Sequence, residues 1–252
     1  MREELMYGLH AVLHLLKVHP KKVKELYLVG EVQDVKFQEI VTVSHDFAIP
    51  LHALQKKQMD TLVPNAVHQG VAARFIVQAP MDEYDLMDLL QNISGPPFLL
   101  ILDSVQDPHN LGAAIRVADA AGVHAIIVPK DKSVGLTAVV RKVASGAAET
   151  LPFVQVTNLV RTIEMLKKEG IWVMGLAGEA TKNVYEHDLT GPLAIILGAE
   201  GSGLRRLTRE HCDHLLFIPM LGYVESLNVS TATAVCLYEA IRQRKSFVKG
   251  MQ

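Results

Sequence analysis

The chain has 252 residues, of which 49% are hydrophobic, and a formal net charge of −2 at pH 7. That length buries one large core or two modest ones, and the composition excludes a disordered chain. No apolar run approaches the ~20 residues of a membrane helix. Met1-Arg-Glu-Glu-Leu-Met also lacks the apolar core of a signal peptide.

The first 78 residues read as a small α/β unit. Helical periodicity runs from Gly8 to Lys17, from Lys36 to Asp46 and from Leu54 to Leu62. Strands are expected at Val23–Val29, Ala48–Leu51 and Val71–Val77. Residues 79–96, with Asp82, Glu83, Asp85, Asp88 and then Ser94-Gly-Pro-Pro97, read as a flexible acidic linker holding one short helix. From residue 97 onward strands and helices alternate. The expected strands are Phe98–Leu102, Ala125–Val128, Phe153–Val156, Ile171–Leu176, Leu193–Leu197 and Leu215–Ile218. The helices fall at 111–121, 137–145, 159–169, 204–211 and Val229–Lys245. This alternation predicts an α/β fold with a doubly wound, mainly parallel sheet, whose ligand site lies beyond the carboxyl ends of the strands.

The net charge alone argues against a nucleic-acid partner, but its distribution does not. Residues 79–96 hold four acids and no base, whereas 1–78 hold nine Lys/Arg against eight Asp/Glu and 97–252 sixteen against fifteen. Local basic clusters such as Lys21-Lys22, Arg141-Lys142 and Arg205-Arg206 matter more for phosphate contact than the total. Each one, alone, reads equally well as a solvated face.

Three segments carry chemistry. Asn110, read as the N-cap of a helix, is followed by Arg116, which is paired on the helix surface with Asp119 or free to meet a ligand. Gly198-Ala-Glu-Gly-Ser-Gly203 turns an apolar strand into a helix. Its spacing is neither the dinucleotide fingerprint nor a P-loop, and it exposes Glu200 among glycines. Ser226, Asn228 and Ser230 crowd the start of the last helix more densely than capping requires. His211-Cys-Asp-His214 matches no familiar zinc site, so no metal is expected. Trp172, the one tryptophan, is expected in the core, and the two cysteines, Cys212 and Cys236, point to a reducing cytoplasm.

Together, over about residues 98–245, these segments resemble the three motifs of the SpoU (TrmH-type) ribose 2′-O-methyltransferases, the knotted SPOUT class. The N-terminal unit is similar to the ribosomal-protein-L30-like RNA-binding domain fused to some members. Within the family, the start Met6-Tyr-Gly-Leu-His-Ala-Val and the chain length resemble enzymes that methylate a guanosine of bacterial 23S ribosomal RNA. The resemblance implies domains at 1–78 and 97–252 and a deep trefoil knot in the second. It also implies S-adenosylmethionine as methyl donor, an RNA partner with no DNA or membrane, and a homodimer. Gly198, Ile218 and Leu227 would surround the donor, and Asn110, Arg116, Glu200, Ser226 and Asn228 would be catalytic. A guanidinium is a poor base, so Arg116 is expected to clamp an RNA phosphate and to be held by Asn110 and Glu200. Transfer RNA as substrate, and a non-catalytic RNA-binding protein of the same fold, remain the competing readings.

Overall fold

The computed structural model describes residues 2–30, 37–64, 66–77 and 79–250. Lys36 and Gln78, where the sequence suggested a helix start and a domain end, lie outside them. The chain divides into two units, one of residues 1–79 with 136–150, the other of 80–135 with 151–252.

The first unit holds strands β1 (Arg2–Tyr7), β2 (Val23–Val29), β3 (Leu51–Leu54) and β4 (Val71–Val77) in the order β1-β4-β2-β3. β4 runs antiparallel to both neighbours and β3 parallel to β2. Because successive side chains alternate between faces, Leu26, Leu28, Ala73 and Phe75 meet helices α1 (Leu9–Val18) and α2 (Gln38–Asp46). Tyr27 and Ala72 meet α3 (Lys56–Leu62) on the other face. β1 was not foreseen: its Arg-Glu-Glu opening looks like a solvated terminus, yet it forms a sheet edge where charge is tolerated. β3 starts three residues later than expected. Ala48 sits in the left-handed region at φ 52°, which cannot open a strand.

Residues 136–150 join this unit through α6 (Ala138–Val143) and α7 (Ala147–Thr150). The helix expected at 137–145 is α6, which ends before Ser145 takes a positive φ of 53°, and α7 beyond it was not foreseen. Arg141 is only 3% exposed. It pairs with Glu149 and, at 3.4 Å, with Glu4 of β1, and its guanidinium lies 5.5 Å from the centre of the Phe75 ring.

The second unit is built on seven strands: β5 (Phe98–Asp103), β6 (Ala125–Pro129), β7 (Phe153–Val156), β8 (Trp172–Leu176), β9 (Lys182–Asn183), β10 (Leu193–Gly198) and β11 (His214–Phe217). Their order is β7-β6-β5-β10-β8-β11-β9, and every pair is parallel. The strands are apolar nearly throughout, as a sheet covered on both faces demands. Leu99, Ile101, Ile127, Val154 and Ile196 face Leu86 of α4 (Glu83–Gln91) and Ile163 and Leu166 of α8 (Leu159–Lys168). Helix α5 (Pro108–Ala120) packs against α10 (Val229–Gly250), which also lies on β10. A short α9 (Arg206–His211) leads into β11.

The stretch read as a flexible linker is part of this unit. Asp82 accepts hydrogen bonds from the amides of Tyr84 and Asp85 and caps α4, Leu86 is fully buried, and Glu83 accepts one from the amide of Thr157 at 2.6 Å. Its acids therefore serve as caps and anchors rather than as a repelling, extended chain. Trp172 departs from expectation as well. It opens β8 at the amino-terminal edge of the sheet and is 53% exposed rather than buried in the core.

Removing one partner from a buried ion pair leaves an uncompensated charge and costs ~3–5 kcal/mol. Arg141→Ala should therefore destabilise the first unit by an amount of that order in urea unfolding. A loss below about 1 kcal/mol would mean that Arg141 does not anchor residues 136–150.

Candidate active site at the carboxyl ends of β5 and β10

In a parallel sheet, the place where strand order reverses leaves a crevice at the carboxyl ends. Here β5 leads outward to β6 and β7 on one side and is flanked by β10 on the other. Gly198, the last residue of β10, stands beside Asp103, the last residue of β5.

Gly198 is required by close backbone approach. A Cβ there would come within 2.0 Å of the carbonyl carbon of Gly203 and 2.3 Å of the amide nitrogen of Leu204. The turn is closed by the Gly203 amide donating to the Ala199 carbonyl at 2.9 Å, with Gly201 and Gly203 at positive φ. The three glycines thus fold β10 back tightly and leave Glu200 exposed at the tip.

Asp103 fastens this turn to β5. It is fully buried and accepts hydrogen bonds from Arg205 Nε at 2.6 Å, from the Arg205 amide at 3.1 Å and from Ser104 Oγ at 3.1 Å. Ser104 next to it has φ 68°, a costly conformation of the kind that gathers at functional sites. Sequence reasoning passed over Asp103. Its one signal is an acid closing an otherwise apolar strand, Phe-Leu-Leu-Ile-Leu-Asp.

The three segments singled out in the sequence converge on one side chain. Asn228 Nδ2 donates to Asn110 Oδ1 at 2.8 Å and to Glu200 Oε1 at 2.5 Å. Its Oδ1 accepts from the Ser230 amide at 2.9 Å and from Ser230 Oγ at 2.6 Å, which caps the start of α10. Asn110 is buried, but it is not the N-cap of α5. Asp107 holds that position, accepting from the His109 amide at 2.8 Å, and Pro108 occupies the first turn.

Arg116 lies exposed on α5, six residues beyond Asn110, hence ~9 Å along the axis and ~120° around it. Asn110 and Glu200, expected to hold Arg116, both accept from Asn228. Ser226 is exposed and Leu227 half-buried in the loop before α10, and Ile218 is half-buried just past β11. Residues 219–228 belong to no helix or strand, and the Asn228 carbonyl accepts from the Ala232 amide at 2.9 Å. Burial pushes the thiols of Cys212 and Cys236 up to about 12, so neither provides a thiolate nucleophile at neutral pH.

The glycine turn at the carboxyl end of β10, with the Asn110, Asn228 and Glu200 side chains gathered beside it, stands where parallel α/β sheets place their ligand sites. Family models resolve the class. The SpoU rRNA methylase family matches residues 97–238, and the RNA 2′-O ribose methyltransferase substrate-binding domain matches residues 5–77. The chain belongs to the SpoU rRNA methylase family. It is 54% identical to the 23S rRNA (guanosine-2′-O-)-methyltransferase RlmB of Pseudomonas syringae pv. tomato and 52% identical to that of Pseudomonas putida, over 96% of this chain and 97% of each relative. Its fold matches the SpoU methyltransferase AviRb of Streptomyces viridochromogenes, solved with AdoMet, at a TM-score of 0.79 and 25% identity, over 97% of this chain and 91% of that one.

Overpacking a tight site costs ~1–3 kcal/mol. Gly198→Ala should lower stability by at least that amount in thermal or urea unfolding, because the added methyl meets rigid backbone. An unchanged midpoint would show that the 199–203 turn is not held against β10.

Proposed function

We propose that this chain transfers a methyl group from S-adenosylmethionine to the ribose 2′-oxygen of a guanosine in 23S ribosomal RNA. The observation that carries this reading is the junction at Asn228, which unites Asn110, Glu200 and the start of α10 above the Gly198 turn. The near-complete overlap with relatives of that activity supports the choice of RNA.

The donor fits the residues present. The 198–203 turn offers backbone at the end of β10, while Ile218 and Leu227 offer half-buried apolar surface. Gly198, Ile218 and Leu227 would hold it. When bound, it supplies a methyl group already activated on a sulfonium. The chain must then align the ribose oxygen and help its proton depart. Alignment of this kind is worth up to ~7–11 kcal/mol, and assisted proton transfer a further ~10²–10⁴ in rate. Arg116 is always charged and donates in a fork. It clamps the RNA phosphate beside the target, and the 2′-hydroxyl proton leaves toward that phosphate. Asn110 and Glu200 set the orientation of Asn228, and Ser226 and Asn228 align the ribose.

Three finer features belong to the same proposal. The second unit is knotted: β10 enters the sheet between β5 and β8, and α10 then returns across β10 onto α5. The enzyme is a homodimer. Leu221 and Tyr223 are fully exposed in the loop beside the site, and large apolar side chains clustered in this way mark surfaces covered by a partner. The first unit is an L30-like RNA-binding domain acting in the cytoplasm, where ribosomal RNA is the substrate.

The test is incubation with labelled S-adenosylmethionine and separate pools of unmodified 23S and transfer RNA, followed by mapping of the 2′-O-methyl group. Label is expected on one guanosine of 23S RNA. Arg116→Ala should lower kcat by on the order of 10² or more with donor affinity unchanged. Label on transfer RNA alone would overturn the choice of substrate, and label on neither RNA the enzymatic reading. An unimpaired Arg116→Ala enzyme would remove Arg116 from the mechanism.

A further inference from the structure

A second pocket lies at the opposite edge of the parallel sheet. Trp172, Leu193 and His214 open β8, β10 and β11 respectively, at their amino-terminal ends. They line a cavity of about 280 Å³ with Met174, His187, Leu189 and Asp188, whose carboxylate accepts from the Thr190 amide and hydroxyl at 2.9 and 2.7 Å. Strand β10 runs six residues from Leu193 to Gly198, so ~16 Å of extended chain separates this cavity from the Gly198 turn. It is therefore not part of the crevice that holds the donor.

The pocket is a flat aromatic floor with polar edges. The rings of Trp172 and His214 are stacked, 5.9 Å between centres and 7° from parallel, and His187 meets His214 edge-on at 4.6 Å. Lys182 Nζ lies 3.0 Å from His214 Nδ1. An ammonium can only donate, so Lys182 sets a cationic donor beside this ring. Burial, with His214 and Lys182 close by, lowers the pKa of His187 from its usual value, so this imidazole is neutral at pH 7 and can accept a hydrogen bond.

The wall of the pocket is pinned from behind. Gln243 of α10 accepts from the Leu189 amide at 2.9 Å and donates to the His187 carbonyl at 3.0 Å. Arg244 donates to the carbonyls of Leu189 at 3.2 Å and Gly191 at 2.7 Å. A cavity held open in this way loses little conformational freedom when filled. Yet its largest ring, Trp172, stays half in water, although burying a tryptophan is strongly favourable.

We propose that this pocket binds an unpaired base of single-stranded RNA, stacked on Trp172, with Lys182 contacting the adjoining phosphate. The volume is just below the ~300–1,000 Å³ of drug-sized ligand sites, which suits a single ring system. Proteins read single-stranded RNA by stacking splayed bases on aromatic faces beside cations, and any base offers a π-face. The imidazole nitrogens at the rim face the polar edge of a base. The site would grip the substrate some distance from the methylated ribose and fix its path across the protein. This inference rests on RNA being the substrate.

Trp172 is the only tryptophan in the chain, so its fluorescence reports on this pocket alone. The full-length protein, saturated with S-adenosylmethionine to block the donor crevice, is titrated with fluorescein-labelled hexauridylate and hexaadenylate. Saturable quenching of Trp172 is expected, with a midpoint equal to that of the anisotropy change. Lys182→Ala and His214→Ala should each weaken it at least tenfold. With a 23S RNA fragment as substrate, Lys182→Ala should raise KM at least fivefold, while kcat and donor affinity stay within twofold. Binding seen by anisotropy with Trp172 emission unchanged would overturn the pocket, as would quenching equally tight in both variants or no binding of either oligomer. Failure of the RNA reading itself would appear separately, as no methyl incorporation by the unaltered enzyme.

Discussion

One amide nitrogen, Nδ2 of Asn228, serves two oxygens from distant parts of the chain, Asn110 Oδ1 on α5 and Glu200 Oε1 at the tip of the glycine turn. Its own oxygen meanwhile caps α10 through Ser230. A buried amide such as that of Asn110, left without a partner, costs ~1–3 kcal/mol. The site therefore holds together only when all three segments are in place. The same side chain that caps the start of α10 thus fixes how the Asn110 amide and the Glu200 carboxylate are oriented.

The sheet makes that junction possible. β10 must lie directly beside β5 for Gly198 to reach Asp103, and the turn can fold back only because position 198 has no side chain. Asp103 then fixes the segment after the turn through both the backbone and the side chain of Arg205. A buried carboxylate is expensive unless fully engaged, and this one is engaged three times. Packing α10 onto both α5 and β10 brings Asn228 over the crevice. The local chemistry of each motif is modest; strand order gives it meaning.

The sequence displayed the second unit well because its signals are local. Apolar runs such as Leu193–Leu197 and glycines at turns declare parallel strands and their ends without knowledge of the partners. Motif spacing also brought Asn110, Glu200 and Asn228 to the same site. The partnerships were not legible. That Asn228 would draw both Asn110 and Glu200 to its amide was not foreseen, because spacing along the chain does not show which polar groups meet. The acids of 79–96 resembled a spacer because a capping carboxylate and a solvated one look alike in sequence. Trp172 was assigned to the core because hydrophobicity does not reveal whether a strand's first residue lies under a helix or beyond its end. β1 was hidden by its charges, and α6 with α7 joined the first unit through contacts such as those of buried Arg141 with Glu4 and of His19 with the Glu149 carbonyl, which periodicity cannot show.

Asn110, Glu200 and Asn228 act as one unit, and a double-mutant cycle tests this most directly. Methyl transfer is measured for Asn110→Ala, Asn228→Ala and the combined variant, with donor affinity recorded for each. Residues in contact within one network couple by ~0.5–3 kcal/mol. The double variant should accordingly lose scarcely more activity than the worse single variant. Losses that simply multiply would show that the two asparagines act independently, and the junction at Asn228 would then not be the basis of the site.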